Sequence, residues 1–241
     1  MSFDLTRRAA AEFAGSLMLA AVVIGSGVMA ADLAQGNTAV ALLGNTLATA
    51  AILYVLITAL GPVSGAHFNP AVTLVMALRR EIGPLAGVLY VVVQICGCVA
   101  GAILAHAMFG LPLLQQGGTA RTGLAQALSE GAATFALLST ILLVGRVRPT
   151  AVAAAVALAI AAGYWWTSST SFANPAITIA RAFSDTFAGI RPVDVPSFIV
   201  AQFVGALAAA GACGWLYRAP ARADQAVSTA AATRSVSSSG G

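Results

Sequence analysis

The chain contains no lysine, three cysteines and little charge of either sign, with Asp, Glu and Arg making up 8% of its 241 residues. A soluble domain carries about a quarter charged residues, so this shortage excludes an ordinary water-soluble globule. Three cysteines are too few, and odd in number, for a disulfide scaffold. Cys96 and Cys98 stand two apart on a predicted helix, about 200° around its axis, and so cannot easily share a metal. With Cys213 they read as small packing residues, and no metal or cofactor is expected. The formal charge of +4 comes entirely from an excess of Arg over acids. In so apolar a chain it reports membrane orientation rather than a nucleic-acid partner.

What the chain has in abundance is apolar sequence, 59% of all residues. Six runs are long enough to cross a bilayer, at residues 9–31, 39–60, 83–108, 124–145, 150–167 and 195–217. The first resembles a secretory signal, because Arg7-Arg8 precede it and Val28-Met29-Ala30 would serve for cleavage. It is too long for that role and carries Glu12 near its start, so it reads as a retained span. Residues 218–241, rich in Ser, Ala and Gly, have no apolar period and are expected to be a disordered tail.

Two short motifs punctuate the spans. Gly65-Ala66-His67-Phe68-Asn69-Pro70-Ala71-Val72 is echoed by Ser171-Phe172-Ala173-Asn174-Pro175-Ala176-Ile177-Thr178. Asn is a favoured N-cap and Pro a favoured first helical residue, so each Asn-Pro-Ala predicts a helix start. The apolar stretches that follow, 71–80 and 176–183, are too short to span. Short capped segments between full spans suggest re-entrant half-helices, which are tolerated at membrane depth where protein or a water path surrounds them.

The motifs belong to a larger repeat. Ala11-Glu12-Phe13-Ala14-Gly15 pairs with Ser129-Glu130-Gly131-Ala132-Ala133, and Gln94-Ile95-Cys96-Gly97 with Gln202-Phe203-Val204-Gly205. The offsets are 118 for the Glu pair, 105 for the Asn pair and 108 for the Gln pair, consistent with one duplicated unit. A unit of three spans inserts its second copy upside down, giving a pseudo-two-fold axis in the membrane plane. Gly83/Gly87, Gly97/Gly101 and Ala201/Gly205 offer close-packing positions between helices. With the N-terminus inside, nine arginines (7, 8, 79, 80, 146, 148, 218, 222 and 234) are cytoplasmic, against Arg121, Arg181 and Arg191 outside. That bias predicts cytoplasmic termini and half-helix N-termini that meet near mid-membrane.

Paired Asn-Pro-Ala half-helices in an inverted three-plus-three repeat resemble the aquaporin and glycerol-facilitator family, over nearly all of the chain up to Tyr217. The resemblance implies an all-α membrane fold of six transmembrane helices and two re-entrant half-helices. It divides the chain into a cytoplasmic N-terminus (1–8), a channel domain (9–217, with repeats at about 9–108 and 124–217) and the tail. It also implies a homotetramer in the bilayer with one pore per subunit, passing small neutral solutes and excluding protons. Asn69, Pro70, Ala71, Asn174, Pro175 and Ala176 would form the pore motif, and Glu12, Glu130 and His67 would brace the re-entrant loops. His106, near the end of the third span, reads as an interfacial His without a role.

The chain departs from the family where most members carry Arg, three residues after the second Asn; here that residue is Ile177. Counting from the two motifs places the rest of the constriction at Thr49, Ala162 and Ser171. Losing a guanidinium and the usual aromatic or His removes bulk and fixed donors, so a wider, less polar constriction is expected. Arg181, one helical turn beyond Ile177, is a candidate for the outer vestibule rather than the constriction. An Arg-less second motif resembles a bacterial subgroup associated with arsenic resistance. That implies a channel in the bacterial plasma membrane for metalloid hydroxides such as arsenous acid and for polyols such as glycerol. A general water and glycerol channel is the alternative. A secondary transporter would need a coupling-ion site, and a hydrolase would need Ser64 and His67 to pair.

Overall fold

The structure, a computed structural model, describes residues 3–218. Ten elements follow one another: α1 (Leu5–Leu33), α2 (Thr38–Ser64), α3 (Pro70–Leu78), α4 (Pro84–Met108), α5 (Leu124–Val147), a 3-10 turn (Pro149–Ala151), α6 (Val152–Trp166), α7 (Pro175–Arg181), a second 3-10 turn (Pro192–Asp194) and α8 (Val195–Leu216). Six of the helical segments, all but α3 and α7, are long and apolar enough to cross a membrane. There are no strands among the described residues. Arg222, Arg234 and nearly all of the expected tail lie outside the described residues.

Local sequence explains where the two short helices begin. Asn69 and Asn174 are extended N-caps whose side-chain oxygens accept from Ala71 N and from Ala176 N and Ile177 N, and proline fills the first helical position of both. Upstream, α2 is closed by Gly65 at φ +91°, a left-handed C-cap that glycine adopts without strain.

Packing repeats with the chain. In the first half α1 lies against α4 and α2, and in the second half α5 lies against α8 and α6. Each short helix then crosses to the other half, α7 against α4 and α3 against α8, while α2 meets α6. This is the inverted three-plus-three arrangement. The α1–α4 contact depends on Gly97 and Gly101, where a methyl group would run into the backbone carbonyls of Phe13 and Leu17. The α5–α8 contact depends in the same way on Gly205, set against the Gly131 carbonyl. The expected Gly83/Gly87 pair packs nothing closely: a methyl at Gly83 meets open space, and one at Gly87 only ordinary contacts.

Candidate functional site: a path between the half-helices

The two motifs meet and lock each other. Asn69 Nδ2 donates to the Ala173 carbonyl at 2.7 Å, and Asn174 Nδ2 donates to the Phe68 carbonyl at 2.8 Å. Each carboxamide has two N–H donors, so one on each Asn remains for the space between them. Both side chains line a central cavity of about 60 Å³, as do Thr49, His67, Ser171 and Ile177.

The loops before the motifs run through matching conformations. Ala66 and Phe68 have φ +49° and +47°, and Ser171 and Ala173, 105 residues on, have +52° and +47°. Left-handed backbone is costly for non-glycine residues and persists only where the surroundings enforce it. Two buried carboxylates supply the enforcement. Glu12 accepts from His67 N at 2.9 Å and Phe68 N at 2.7 Å, and also from Ser64 Oγ and Gln94 Nε2. Glu130 accepts from Phe172 N and Ala173 N, both at 2.8 Å, and from Gln202 Nε2 at 2.6 Å. Both carboxylates are wholly buried, and hydrogen bonds to a charged acceptor are the strong ones.

Two threonines complete each frame. Thr73 and Thr178, four residues after their Asn, each donate to that Asn carbonyl and accept from Gln94 or Gln202 at 2.9 Å. Sequence reasoning missed them, although Thr recurs at the same offset from both motifs. His67 sits with Nδ1 3.1 Å from Thr73 Oγ1 and its ring edge-on to Tyr90. Ser64 is bound to Glu12, and His67 to Thr73, so the two are not arranged as nucleophile and base.

Two of the expectations need correction. Ala162 is exposed and does not line the cavity; Ile160 and the buried Tyr164 are the α6 residues that do, with Tyr164 Oη 3.2 Å from Thr49 Oγ1. Positions 162 and 164 differ by about 200° around a helix, so a slip of two residues exchanges opposite faces. His106, expected to have no role, is fully buried at the end of α4 with both ring nitrogens satisfied, Nδ1 2.9 Å from the Leu113 carbonyl and Nε2 2.9 Å from Ser184 Oγ. It fastens the segment after α7 to the end of α4.

Two larger cavities share wall residues with the central one. Ile141 lines both the central cavity and one of about 540 Å³ bordered by Arg79, Glu81 and Arg146. Arg181 lines both the central cavity and one of about 450 Å³ bordered by Arg121, Thr119 and Trp165. The central cavity thus shares a wall residue with each of the two larger ones, which share none with each other. Arg181 is 2% exposed; its Nε donates to the Ala188 carbonyl, and its guanidinium carbon lies 3.3 Å from the Phe172 ring centre. It borders the larger cavity and the central one alike. Arg121, in the loop before α5, also faces Phe172, at 4.9 Å. Burial pushes its guanidinium below the usual arginine range, partly countered by the charge of Glu130. Cys96 is exposed and Cys98 buried, on different sides of α4, and no cluster of metal-ligating side chains occurs among the described residues.

A family model described as Major intrinsic protein matches residues 1–151 and 139–239. The aquaglyceroporin AqpS of Rhizobium meliloti (strain 1021) is 52% identical over 220 residues, covering 91% of this chain and 94% of the relative. The probable aquaporin AqpM of Archaeoglobus fulgidus is 31% identical over 249 residues, covering 90% of this chain and 98% of that protein. Among solved structures, the aquaglyceroporin from Plasmodium falciparum shares the fold, with a TM-score of 0.65 at 18% identity over 86% of this chain and 95% of that one.

Proposed function

The chain belongs to the major intrinsic protein family, whose aquaporin members are channels rather than enzymes, and from that premise we propose that it is a passive transmembrane channel for small uncharged solutes. The observation that carries the reading is the set of three cavities linked by shared wall residues, with the two half-helix N-termini and the spare Asn69 and Asn174 amides at the central one. Wide mouths collect solute from water, and the narrow middle admits it in single file.

Selectivity follows from what the middle offers. Helix N-termini carry partial positive charge, so two that converge at mid-membrane oppose any cation, a proton included. The Asn amides donate in turn to a passing oxygen, and the same cavity is lined by apolar Val23, Leu53, Val156 and Ile160. A neutral polyhydroxyl molecule suits that mixture of a few donors and apolar surface; an ion does not. The constriction consists of Thr49, Tyr164, Ser171 and Ile177. With Ile177 in the usual place of Arg, its donors are fewer than in water-selective relatives, which favours solutes with several hydroxyls, such as glycerol and arsenous acid. AqpS, an aquaglyceroporin by name, supports the glycerol reading. Transport coupled to an ion is disfavoured because both intramembrane carboxylates are already occupied by the loops.

The excess of arginine at the α3 end of the chain's topology supports cytoplasmic termini and puts the Arg121–Arg181 cavity outside. A plasma-membrane homotetramer with one pore per subunit completes the proposal. Native mass spectrometry tests the assembly, and a spectrum of monomers alone would reject it. Function is tested in proteoliposomes by stopped-flow light scattering. Glycerol and arsenous acid are expected to enter well above the rate in empty vesicles, while an internal pH dye reports no proton leak. Solute entry equal to that of empty vesicles, or a proton leak that follows protein content, would reject the proposal.

A further inference from the structure

We propose that the outer mouth contains an oxyanion site built from Arg121 and Arg181, and that a tetrahedral oxyanion seated there closes the pore to neutral solutes. The closure rests on the channel reading above. The site itself rests on two guanidiniums that share one cavity and form no ion pair among the described residues.

Both cations lie within 5 Å of one ring, Arg181 at 3.3 Å and Arg121 at 4.9 Å from the centre of Phe172. Their fixed partners are neutral. Arg181 Nε donates to the Ala188 carbonyl, while Arg121 donates through Nε to Gly189 O at 2.9 Å and through Nη1 to Ser169 O at 3.2 Å. The ion pairs among the described residues are Arg7–Asp4, Arg79–Glu81 and Arg191–Asp194, and none involves either cation. Nearby carboxylates are occupied elsewhere. Asp194 accepts from Arg121 N and Arg191 Nε, Asp185 from Gly118 N, and Glu130 from the motif loop and Gln202.

Two neighbouring cations, one of them 98% buried, repel each other at short range, and an anion between them relieves that repulsion. Donors remain to hold it: among the described residues neither Nη of Arg181, nor Nη2 of Arg121, makes a hydrogen bond. Cation–π contact and carbonyl acceptors orient a guanidinium without neutralising it. The planar donor fork that results matches the oxygen spacing of phosphate or sulfate. Thr119 and Thr170 line the same cavity and add hydroxyl donors, and its volume of about 450 Å³ accommodates such an ion with water.

Arg181 alone, among the described residues, borders both this cavity and the central one, so an anion it holds stands across the entrance. Going further would require the ion to give up its water in a cavity of about 60 Å³ that offers only the Asn69 and Asn174 amides and a few hydroxyls among apolar Ile177, Ile160 and Val156. Binding without passage is the consequence.

The test compares glycerol entry into proteoliposomes in sodium phosphate and in sodium chloride of equal ionic strength, with the salt on both sides of the membrane. It is paired with calorimetric titration of phosphate into the detergent-solubilised protein. Phosphate is expected to reduce glycerol entry saturably, by severalfold, and to bind in the calorimeter. Arg121→Gln is expected to weaken both effects by about tenfold or more, the worth of one charge-assisted hydrogen bond, with Arg121→Lys intermediate. Each variant is read as its own ratio of phosphate to chloride, so a change in basal flux does not intrude. Equal block in neutral and in anionic lipid identifies a free anion, and a block that needs anionic lipid but no phosphate overturns the proposal. Equal flux in the two salts with no heat of binding overturns it too, as does labelled phosphate crossing the membrane. Wild type that carries no glycerol even in chloride instead rejects the channel reading, and the titration then still decides whether the anion site exists.

Discussion

Replacing Glu12 by Gln preserves shape and removes one acceptor pair, which makes it a quantitative probe of the loop clamp. Each carboxylate oxygen of Glu12 takes two donors, Oε1 from Ser64 Oγ and His67 N, and Oε2 from Phe68 N and Gln94 Nε2. Whichever end becomes NH₂ then faces two donors. At about 1.5–3 kcal/mol for each charge-assisted bond, the loss is about 3–6 kcal/mol. Removing a buried charge recovers about 2.5–3.5 kcal/mol on insertion scales. With like ends of the two ranges paired, the net destabilisation is about 0.5–2.5 kcal/mol, concentrated on a loop already held at φ +49° and +47°. Glu130 is less evenly loaded: Oε1 accepts only from Phe172 N, while Oε2 takes Ala173 N and Gln202 Nε2. Glu130→Gln can place its NH₂ at the singly loaded position and lose one bond, so its net cost falls near zero. Thermal unfolding in detergent should rank Glu12→Gln below Glu130→Gln and wild type, and glycerol flux per protein should fall in the same order. Equal melting of Glu12→Gln and wild type, or the reverse ranking of the two variants, would refute the clamp.

Asn174→Asp replaces the Nδ2 that donates to Phe68 O by an oxygen facing an oxygen, and places a charge at mid-membrane. Glycerol flux should drop at least tenfold while the protein still inserts, as light scattering and membrane yield would show. Gly101→Ala drives a methyl into the Leu17 carbonyl across the α1–α4 contact, and overpacking of this kind costs about 1–3 kcal/mol. Lower yield and lower thermal stability should follow, with solute preference unchanged in the surviving protein. Tyr164→Phe removes only the Thr49 hydrogen bond, so stability should change by less than about 1 kcal/mol. The ratio of glycerol to water permeability is the quantity expected to move.

The two half-helices were legible because their start signal is local: Asn as cap, Pro as first residue, in two copies. The six spans were legible from length and apolarity alone. Counting back from Asn69 reaches the cavity wall at Thr49, because only the four residues 65–68 separate the end of α2 from the motif. Counting back from Asn174 lands on Ala162, which is exposed. There seven irregular residues, 167–173, separate the end of α6 from the motif, and the longer loop throws off the count. Long-range partners were hidden for a different reason. Nothing local marks Thr73 as the bridge between Asn69 and Gln94, or Arg121 as a neighbour of Arg181, since both depend on how separate helices pack. Arg181 likewise looked like a vestibule residue along α7, and only the fold of the loop after it turns the side chain back over Phe172.

The central claim, that a constriction with Ile177 in place of Arg selects neutral solutes larger than water, is tested most directly by Ile177→Arg. Stopped-flow light scattering would compare water, glycerol and arsenous acid permeability of this variant and wild type in the same vesicles. The account predicts that wild type passes glycerol and arsenous acid, and that the added guanidinium, one turn from Arg181, abolishes both while water still crosses. Wild type that passes water alone, with Ile177→Arg indistinguishable from it, would contradict the account.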